Sequence, residues 1–276
     1  MKQINNKTKI LIVGLGLIGG SYAKALTKKG YKVRAITLDS SDIEYAIDKG
    51  FLEDGTTAVT KEYLAWADVI VFSLYPHTFI EWLKKYGSMI KKETLCTDVT
   101  GVKSCILSDA QALMPEGVEF IAAHPMAGRE RSGVRHSDES VFHGAHYIVV
   151  PTEKNSEEAI ECCKKLGEEL GFYRISVLDA ESHDRMIAFL SQLTHCIAVS
   201  LMCTNDTPGF EAYTGDSFRD LTRIAKINGE MWSELFIRNK RFLLDEMDNF
   251  INQFTTLRNM LENEDKDGMC EMMKIS

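Results

Sequence analysis

The stretch at residues 9–21, KILIVGLGLIGGS, constrains what this chain can fold into more than any other. Ile10, Leu11, Ile12 and Val13 are apolar in succession, as a strand buried on both faces of a sheet requires. Gly14, Gly16 and Gly19 follow at G-x-G-x-x-G spacing, and Tyr22, Ala23, Ala25 and Leu26 then recur at helical intervals up to Gly30. Gly14 permits the tight turn out of the strand, Gly16 lets a pyrophosphate approach the backbone, and Gly19 lets the helix lie close on the strand. Leu17 and Ile18 stand at the helix start, whose N–H groups point at the phosphates. Strand before and helix after separate this signal from an ordinary glycine-rich turn and predict a dinucleotide cofactor, NAD or NADP.

A second strand at 32–36 ends beside Thr37, with Asp39 two residues on. An acidic side chain near such a strand tip holds the ribose 2′-hydroxyl of NAD. Thr37 supplies no carboxylate and suits a hydrogen bond to a 2′-phosphate, whereas Asp39 suits the hydroxyl, so both cofactors stay open. Helices follow at 42–49 and in TKEYLAWA. A fully apolar strand at 68–73 places its end, with Ser73 and Leu74, beside the cofactor. A helix at 79–89, a strand at 95–99, a helix through Leu113 and a strand at 118–122 ending at His124 come next. A last strand at 147–150 precedes an amphipathic helix at 156–170. This alternation predicts an α/β domain with a doubly wound parallel sheet over residues 1–178. Beyond it strand signals vanish, and long apolar-periodic runs at 183–203, 218–227 and 230–261 predict an all-helical domain over 179–276.

Charge and composition exclude several classes of function. A formal net charge of −8 argues against a nucleic-acid partner, which needs a basic field. No run approaches ~18 uninterrupted apolar residues, so no membrane span is expected, and MKQINNKTK lacks the apolar core of a signal peptide. The seven cysteines form no C-x-x-C pair, which reads as reduced thiols in a cytoplasmic protein and not as a disulfide framework or a metal site.

His124 opens HPMAGRERSG directly after a strand, on the rim that faces the cofactor. A neutral imidazole there can take a hydroxyl proton while hydride leaves the adjoining carbon. With GLGLIGGS, DVTGVKS, HPMAG, SQLTHCIA and FRDLTRIA in this order, the chain resembles the prephenate and arogenate dehydrogenase family of tyrosine biosynthesis, from about residue 9 to about residue 261. No regulatory domain is expected after the helical part, which ends at Ser276.

The resemblance implies roles for particular residues. His124 is the base for the ring hydroxyl, His195 in SQLTHCIA contacts the substrate, and Arg223 in FRDLTRIA holds a substrate carboxylate. Asp220 orients that site, and Trp232 matches an aromatic position that follows the motif. A planar guanidinium suits the task given to Arg223, because it grips a carboxylate bidentately. Arg219 reads as an ion-pairing residue. The chain departs from its relatives in DVTGVKS: where they carry a serine that bonds the base, it has Gly101, so Thr100 or a water is expected to supply the hydroxyl. His77, His136, His143, His146 and His183 are read as surface or structural.

The implied partner is a small-molecule acid. Arg129, Arg131 and Arg135 outnumber Glu130 in the loop after His124, which favours the dianion prephenate over arogenate with its ammonium group. Arg129 is taken as a substrate contact. The unusually apolar helices of the second domain predict a homodimer. Competing readings are an arogenate or dual-specificity cyclohexadienyl dehydrogenase, and a 3-hydroxyisobutyrate- or 6-phosphogluconate-type dehydrogenase. A nucleotide sensor that keeps the fold without catalysis is a further one.

Overall fold

Strand β1 (Lys9–Val13) buries four consecutive side chains, Ile10 to Val13, and so needs strands on both edges and cover on both faces. It pairs in parallel with β2 (Lys32–Ile36) on one side and β4 (Val69–Phe72) on the other. Outside β2 lies β3 (Asp54–Thr56). Outside β4 lie β5 (Leu95–Asp98), β6 (Glu119–Met126), β7 (His146–Val150) and β8 (Arg174–Val177). The order β3-β2-β1-β4-β5-β6-β7-β8 changes direction between β1 and β4, the switch point at which open parallel sheets bind ligands. The computed structural model describes residues 4–129, 131–205 and 207–276.

Crossovers are made by α1 (Leu17–Lys28), α2 (Ser40–Asp48), α3 (Lys61–Trp66), α4 (Pro76–Tyr86), α5 (Ser104–Leu113) and α6 (Glu157–Leu170). Their ends follow local chemistry. Ser156 caps α6 by accepting from Ala159 N–H, Glu157 and Glu158 favour its positive end, and Gly171 closes it at φ 88°. Tyr22, Ala23 and Leu26 of α1 and Cys163 and Leu166 of α6 join β1, β4 and β7 in one core.

Three features differ from the sequence reading. The sheet is not wholly parallel: β7 runs antiparallel to β6, because the described residues of the 127–145 connection hold short 3₁₀ turns and no crossover helix. β3 and β8 were not anticipated, since edge strands of three and four residues carry no apolar run. His124 lies inside β6, paired with Ile148, and not just past its end.

Two compact units result. One runs to Asp184 and takes back Ile227–Arg238; the other holds Arg185–Lys226 and Asn239–Ser276. The helical half consists of α7 (Ala180–Ile187), a π-helical turn Ala188–Leu193, α8 (Thr194–Cys203), α9 (Asp216–Thr222), α10 (Gly229–Arg238), α11 (Lys240–Glu262) and α12 (Lys266–Ile275). The apolar run expected at 230–261 is broken at Asn239, whose buried amide donates to Gln192 Oε1 at 2.7 Å on the π turn. That break hands α10 to the sheet-bearing unit. The segment Ala180–Cys203 is, by length and composition, apolar enough to cross a membrane, and 28% of its apolar window is buried within the chain.

Candidate active site

The glycine turn has the shape its spacing predicts. Gly14 sits at φ +97°, and a Cβ there would lie 2.3 Å from Ser73 O and 2.8 Å from the Leu74 side chain, so Ser73 and Leu74 wall the turn. A Cβ on Gly19 would lie 2.1 Å from Gly14 O, whereas at Gly16 it would meet nothing within 4 Å. The first N–H groups of α1, from Leu17 and Ile18 onward, have no side-chain cap and no acidic residue in the first turn. A bare helix start behind an open glycine backbone fits a dinucleotide pyrophosphate. At the tip of β2, Thr37 N–H donates to Thr56 O, and Asp39 caps α2 by accepting from Ser41 N–H at 2.8 Å. That bond, with a smaller contribution from Arg135, holds the Asp39 carboxyl below its ordinary range. Arg135 itself lies over the Tyr45 ring, 4.8 Å from its centroid.

Past Ile121 strand β6 loses its pairing with β5 and turns to β7, so its backbone on the β5 side needs other partners. A buried ion pair supplies them. Asp98 Oδ1 accepts from Ala123 N–H at 3.1 Å, and Lys103 Nζ donates to Ala123 O at 2.6 Å and to Asp98 Oδ2 at 2.6 Å. Thr100 donates its hydroxyl to Asp98 Oδ2 at 2.5 Å and receives Lys103 Nζ at 3.2 Å. The three lysine protons thus meet three oxygens. Thr100 is committed to this pair, a different set of partners from the base contact expected of it.

His124 follows Ala123 directly. Its Nδ1 lies 2.9 Å from His183 Nε2, and His183 Nδ1 lies 2.7 Å from Asp184 Oδ1. Asp184 also accepts Lys103 N–H and Ser104 N–H, both at 2.8 Å, at the start of α5. Burial, then His183 and Lys103, hold the His124 pKa well below the usual imidazole value. Burial likewise lowers that of His183. The other nitrogen, His124 Nε2, lies 3.9 Å from where a Cβ on Gly101 would stand, and Leu235 of α10 closes the same spot at 3.5 Å. Glu234 of α10 accepts His77 N–H at 2.7 Å at the start of α4 and Arg238 Nε at 2.8 Å, which ties α10 to the carboxyl edge of the sheet. His183, Asp184, Asp98, Lys103 and Leu235 were not anticipated as parts of the site. The available signals were a His-Asp pair interrupting an apolar helical run, and charged residues at the end of an apolar strand.

In the other unit, His195 Nδ1 donates to Ile224 O at 2.8 Å, which joins α8 to the turn that begins at Arg223. Asp220 is exposed on α9, one turn before Arg223, and Arg219 forms an exposed ion pair with Asp216. Trp232 sits on α10 with its ring 5.6 Å from that of Phe236. Arg129 binds Asp138 at 3.2 Å and Ser140 at 2.9 Å. Glu130 lies outside the described residues.

Comparison with known proteins identifies the family. Residues 22–175 match the family profile described as prephenate dehydrogenase, nucleotide-binding domain, and residues 179–275 match prephenate dehydrogenase, dimerization domain. The prephenate dehydrogenase of Bacillus subtilis is 32% identical over 277 residues, covering 97% of this chain and 74% of that protein. The cyclohexadienyl dehydrogenase of Zymomonas mobilis is 28% identical, covering 97% and 93%. Among solved structures, prephenate dehydrogenase from A. aeolicus in complex with hydroxyphenyl propionate and NAD+ superposes with a TM-score of 0.89 at 29% identity, covering 99% of this chain and 96% of that one. An uncapped glycine turn at the switch point, a desolvated histidine on the same sheet edge and likeness over nearly the whole chain converge: this protein belongs to the prephenate dehydrogenase family.

Proposed function

We propose that this chain oxidises prephenate to 4-hydroxyphenylpyruvate and CO2, passing hydride to NAD or NADP, and that His124 is its base. The observation that carries this reading is the place of His124, at the carboxyl edge of the sheet that also bears the glycine turn, with Nδ1 engaged by His183 and burial pushing its pKa down. The nicotinamide, when bound, accepts the hydride. Gly14, Gly16, Leu17, Ile18 and Gly19 receive the pyrophosphate, Ser73 and Leu74 flank it, and Thr37 and Asp39 stand at the ribose. His124 Nε2 takes the proton of the ring hydroxyl as hydride leaves the same carbon. Electrons from the breaking carboxylate bond then fill the ring, and the proton returns to the phenolate oxygen. Aromatisation drives the step, so the protein has only to align a base, a cofactor and anchors for the acid.

Thr100 acts indirectly in this reading, through the Asp98–Lys103 pair beneath His124. Arg223 anchors a carboxylate, supported by His195, Asp220 and Trp232, as the family resemblance assigns them. Replacing Arg223 with Ala is expected to raise KM for prephenate at least tenfold and to leave cofactor affinity unchanged. A change in cofactor affinity alone would move Arg223 to the nucleotide site.

Appearance of reduced nicotinamide on mixing protein, cofactor and prephenate tests the activity; no reduction with either cofactor would overturn it. Prephenate is favoured over arogenate because the loop after His124 is basic, although Arg129 is engaged by Asp138 and Arg135 by Tyr45. A kcat/KM ratio at least tenfold in favour of arogenate would reverse that preference.

The chain is also a homodimer in this reading. Ala180–Cys203 is apolar beyond what one copy covers, and Phe250, Ile251, Phe254 and Leu261 of α11 are exposed. Exposed apolar faces of this extent call for a partner, and the match to a dimerization domain makes a second copy the natural one. Light scattering at micromolar concentration is expected to return twice the chain mass; a monomer mass would refute the assembly.

A further inference from the structure

We infer that His183 and Asp184 are positioning residues that hold His124 in the tautomer with a bare Nε2. The inference rests on the reading of His124 as the base. It begins at Asp184. Both carboxylate oxygens accept backbone N–H groups, Oδ1 from Lys103 and Oδ2 from Ser104, so this group is an acceptor toward every neighbour. At 2.7 Å from Oδ1, His183 Nδ1 must therefore carry a proton and donate it. A bare Nδ1 there would set two acceptors against each other in a fully buried place.

The consequence passes through the ring. Burial and the Lys103 cation disfavour a second proton on His183, so with its proton on Nδ1 its Nε2 is a lone pair that accepts from His124 Nδ1 at 2.9 Å. His124 then keeps its single proton on Nδ1, and Nε2, the nitrogen on the Gly101 side, is unprotonated before substrate arrives. When Nε2 takes the substrate proton, the Nδ1–H bond becomes charge-assisted, and the Asp184 carboxylate beyond His183 favours the imidazolium. Lys103 opposes that charge, and Asp98 neutralises Lys103 in turn. Cys105 on α5 lies in the field of Arg238, Asp184 and Lys103, and Cys163 on α6 in that of Asp98 and Lys103; burial pushes both thiols up, so neither adds a charge.

The tautomer argument makes the two positions separable by substitution. His183→Leu removes the acceptor for His124 Nδ1–H while keeping an apolar side chain of similar bulk. His183→Gln puts a carbonyl oxygen near the place of Nε2. Asp184→Asn removes the carboxylate charge and sets an amide N–H against one of the three donors around it; where that N–H faces His183, both rings reverse and Nε2 is protonated. Reversing the tautomer of a catalytic histidine lowers kcat by about 10⁴ in serine proteases. His183→Leu and Asp184→Asn are expected to lower kcat by a factor on the order of 10²–10⁴. His183→Gln should remain within about tenfold of the parent, as a retained acceptor requires. KM for prephenate and the dissociation constant for NAD+, read by fluorescence titration, should not change. In Asp184→Asn the acid limb of kcat/KM should move to lower pH, because the imidazolium has lost its carboxylate. Nitrogen-15 spectra of histidine-labelled protein, assigned with His124→Asn, read the tautomer directly: a protonated Nδ1 and a bare Nε2 on His124 are expected in the parent.

A proton on Nε2 in the parent would overturn the inference. So would His183→Leu and Asp184→Asn proteins that keep parental turnover while His124→Asn is inactive. A fall in melting temperature with a raised KM and an unmoved acid limb would give both residues a structural role alone. Activity in His124→Asn is a separate result, which would remove His124 as the base.

Discussion

His124→Asn is expected to fold, to bind its cofactor as the parent does, and to lose kcat by a factor on the order of 10²–10⁴, the usual cost of removing a general base. Asparagine keeps an N–H donor close to where Nδ1–H stands, so His183 retains its partner and only the lone pair at Nε2 disappears. The pH dependence has a definite sign. A base works deprotonated, and burial with the His183 and Lys103 neighbours depresses the His124 pKa. Activity should therefore hold through the range where a free imidazole titrates, near ~6.5, and fall only at a lower pH. Stability behaves differently. For a histidine whose folded pKa is lowered, the unfolded chain binds the proton more readily. The contribution is complete above the unfolded value and is lost as pH falls below it. The protein should thus begin to lose stability at a higher pH than the one at which its rate declines. Urea midpoints and initial rates over one pH series check this, and near-parental turnover in the Asn variant would sink the assignment.

The largest loss of stability is expected from Lys103→Met. Lys103 and Asp98 are both fully buried and 2.6 Å apart. The methionine fills the space of the lysine stem but leaves the carboxylate without its cation and Ala123 O without its donor. Breaking a buried pair by removing one member typically costs about 3–5 kcal/mol. Adding Asp98→Asn should restore part of that loss, since no uncompensated charge then remains, and the recovery measures the coupling of the two. Catalysis should suffer in both variants, because the pair holds the backbone on either side of the Ala123 α-carbon, next to the base. A urea midpoint unchanged in Lys103→Met would show that the pair contributes nothing net.

What was legible in the sequence follows from how local its causes are. The glycine turn, β1, β2 and β4 could be read because continuous apolar runs and fixed glycine spacing are themselves the structural requirement. β3 and β8 could not, because DGT and RISV become strands only where a neighbouring edge is offered. The reversal at β7 depended on a connection whose described residues form no helix, which no residue type announces. In the site, His124 was visible because it closes an apolar run, although the strand continues through it. His183 was dismissed, because its meaning lies in a ring on β6 that sits 59 positions earlier in the chain. Lys103 and Asp98 likewise acquire a purpose only once β6 parts from β5.

The return of α10 to the sheet-bearing unit has a consequence for anyone who cuts this protein into pieces. The polypeptide passes from one unit to the other after Asp184, comes back at Ile227 and departs again after Arg238. Neither unit is a single unbroken length of chain. A fragment stopped after β8 would keep the whole sheet and the glycine turn, yet it would lack Leu235 beside Gly101 and the Glu234 carboxylate on the start of α4. It would also end before His183 and Asp184. Such a piece would display a nucleotide fold with its reacting edge uncovered and its histidine unaccompanied. A faithful minimal version would have to splice Ile227–Arg238 back on through a designed linker.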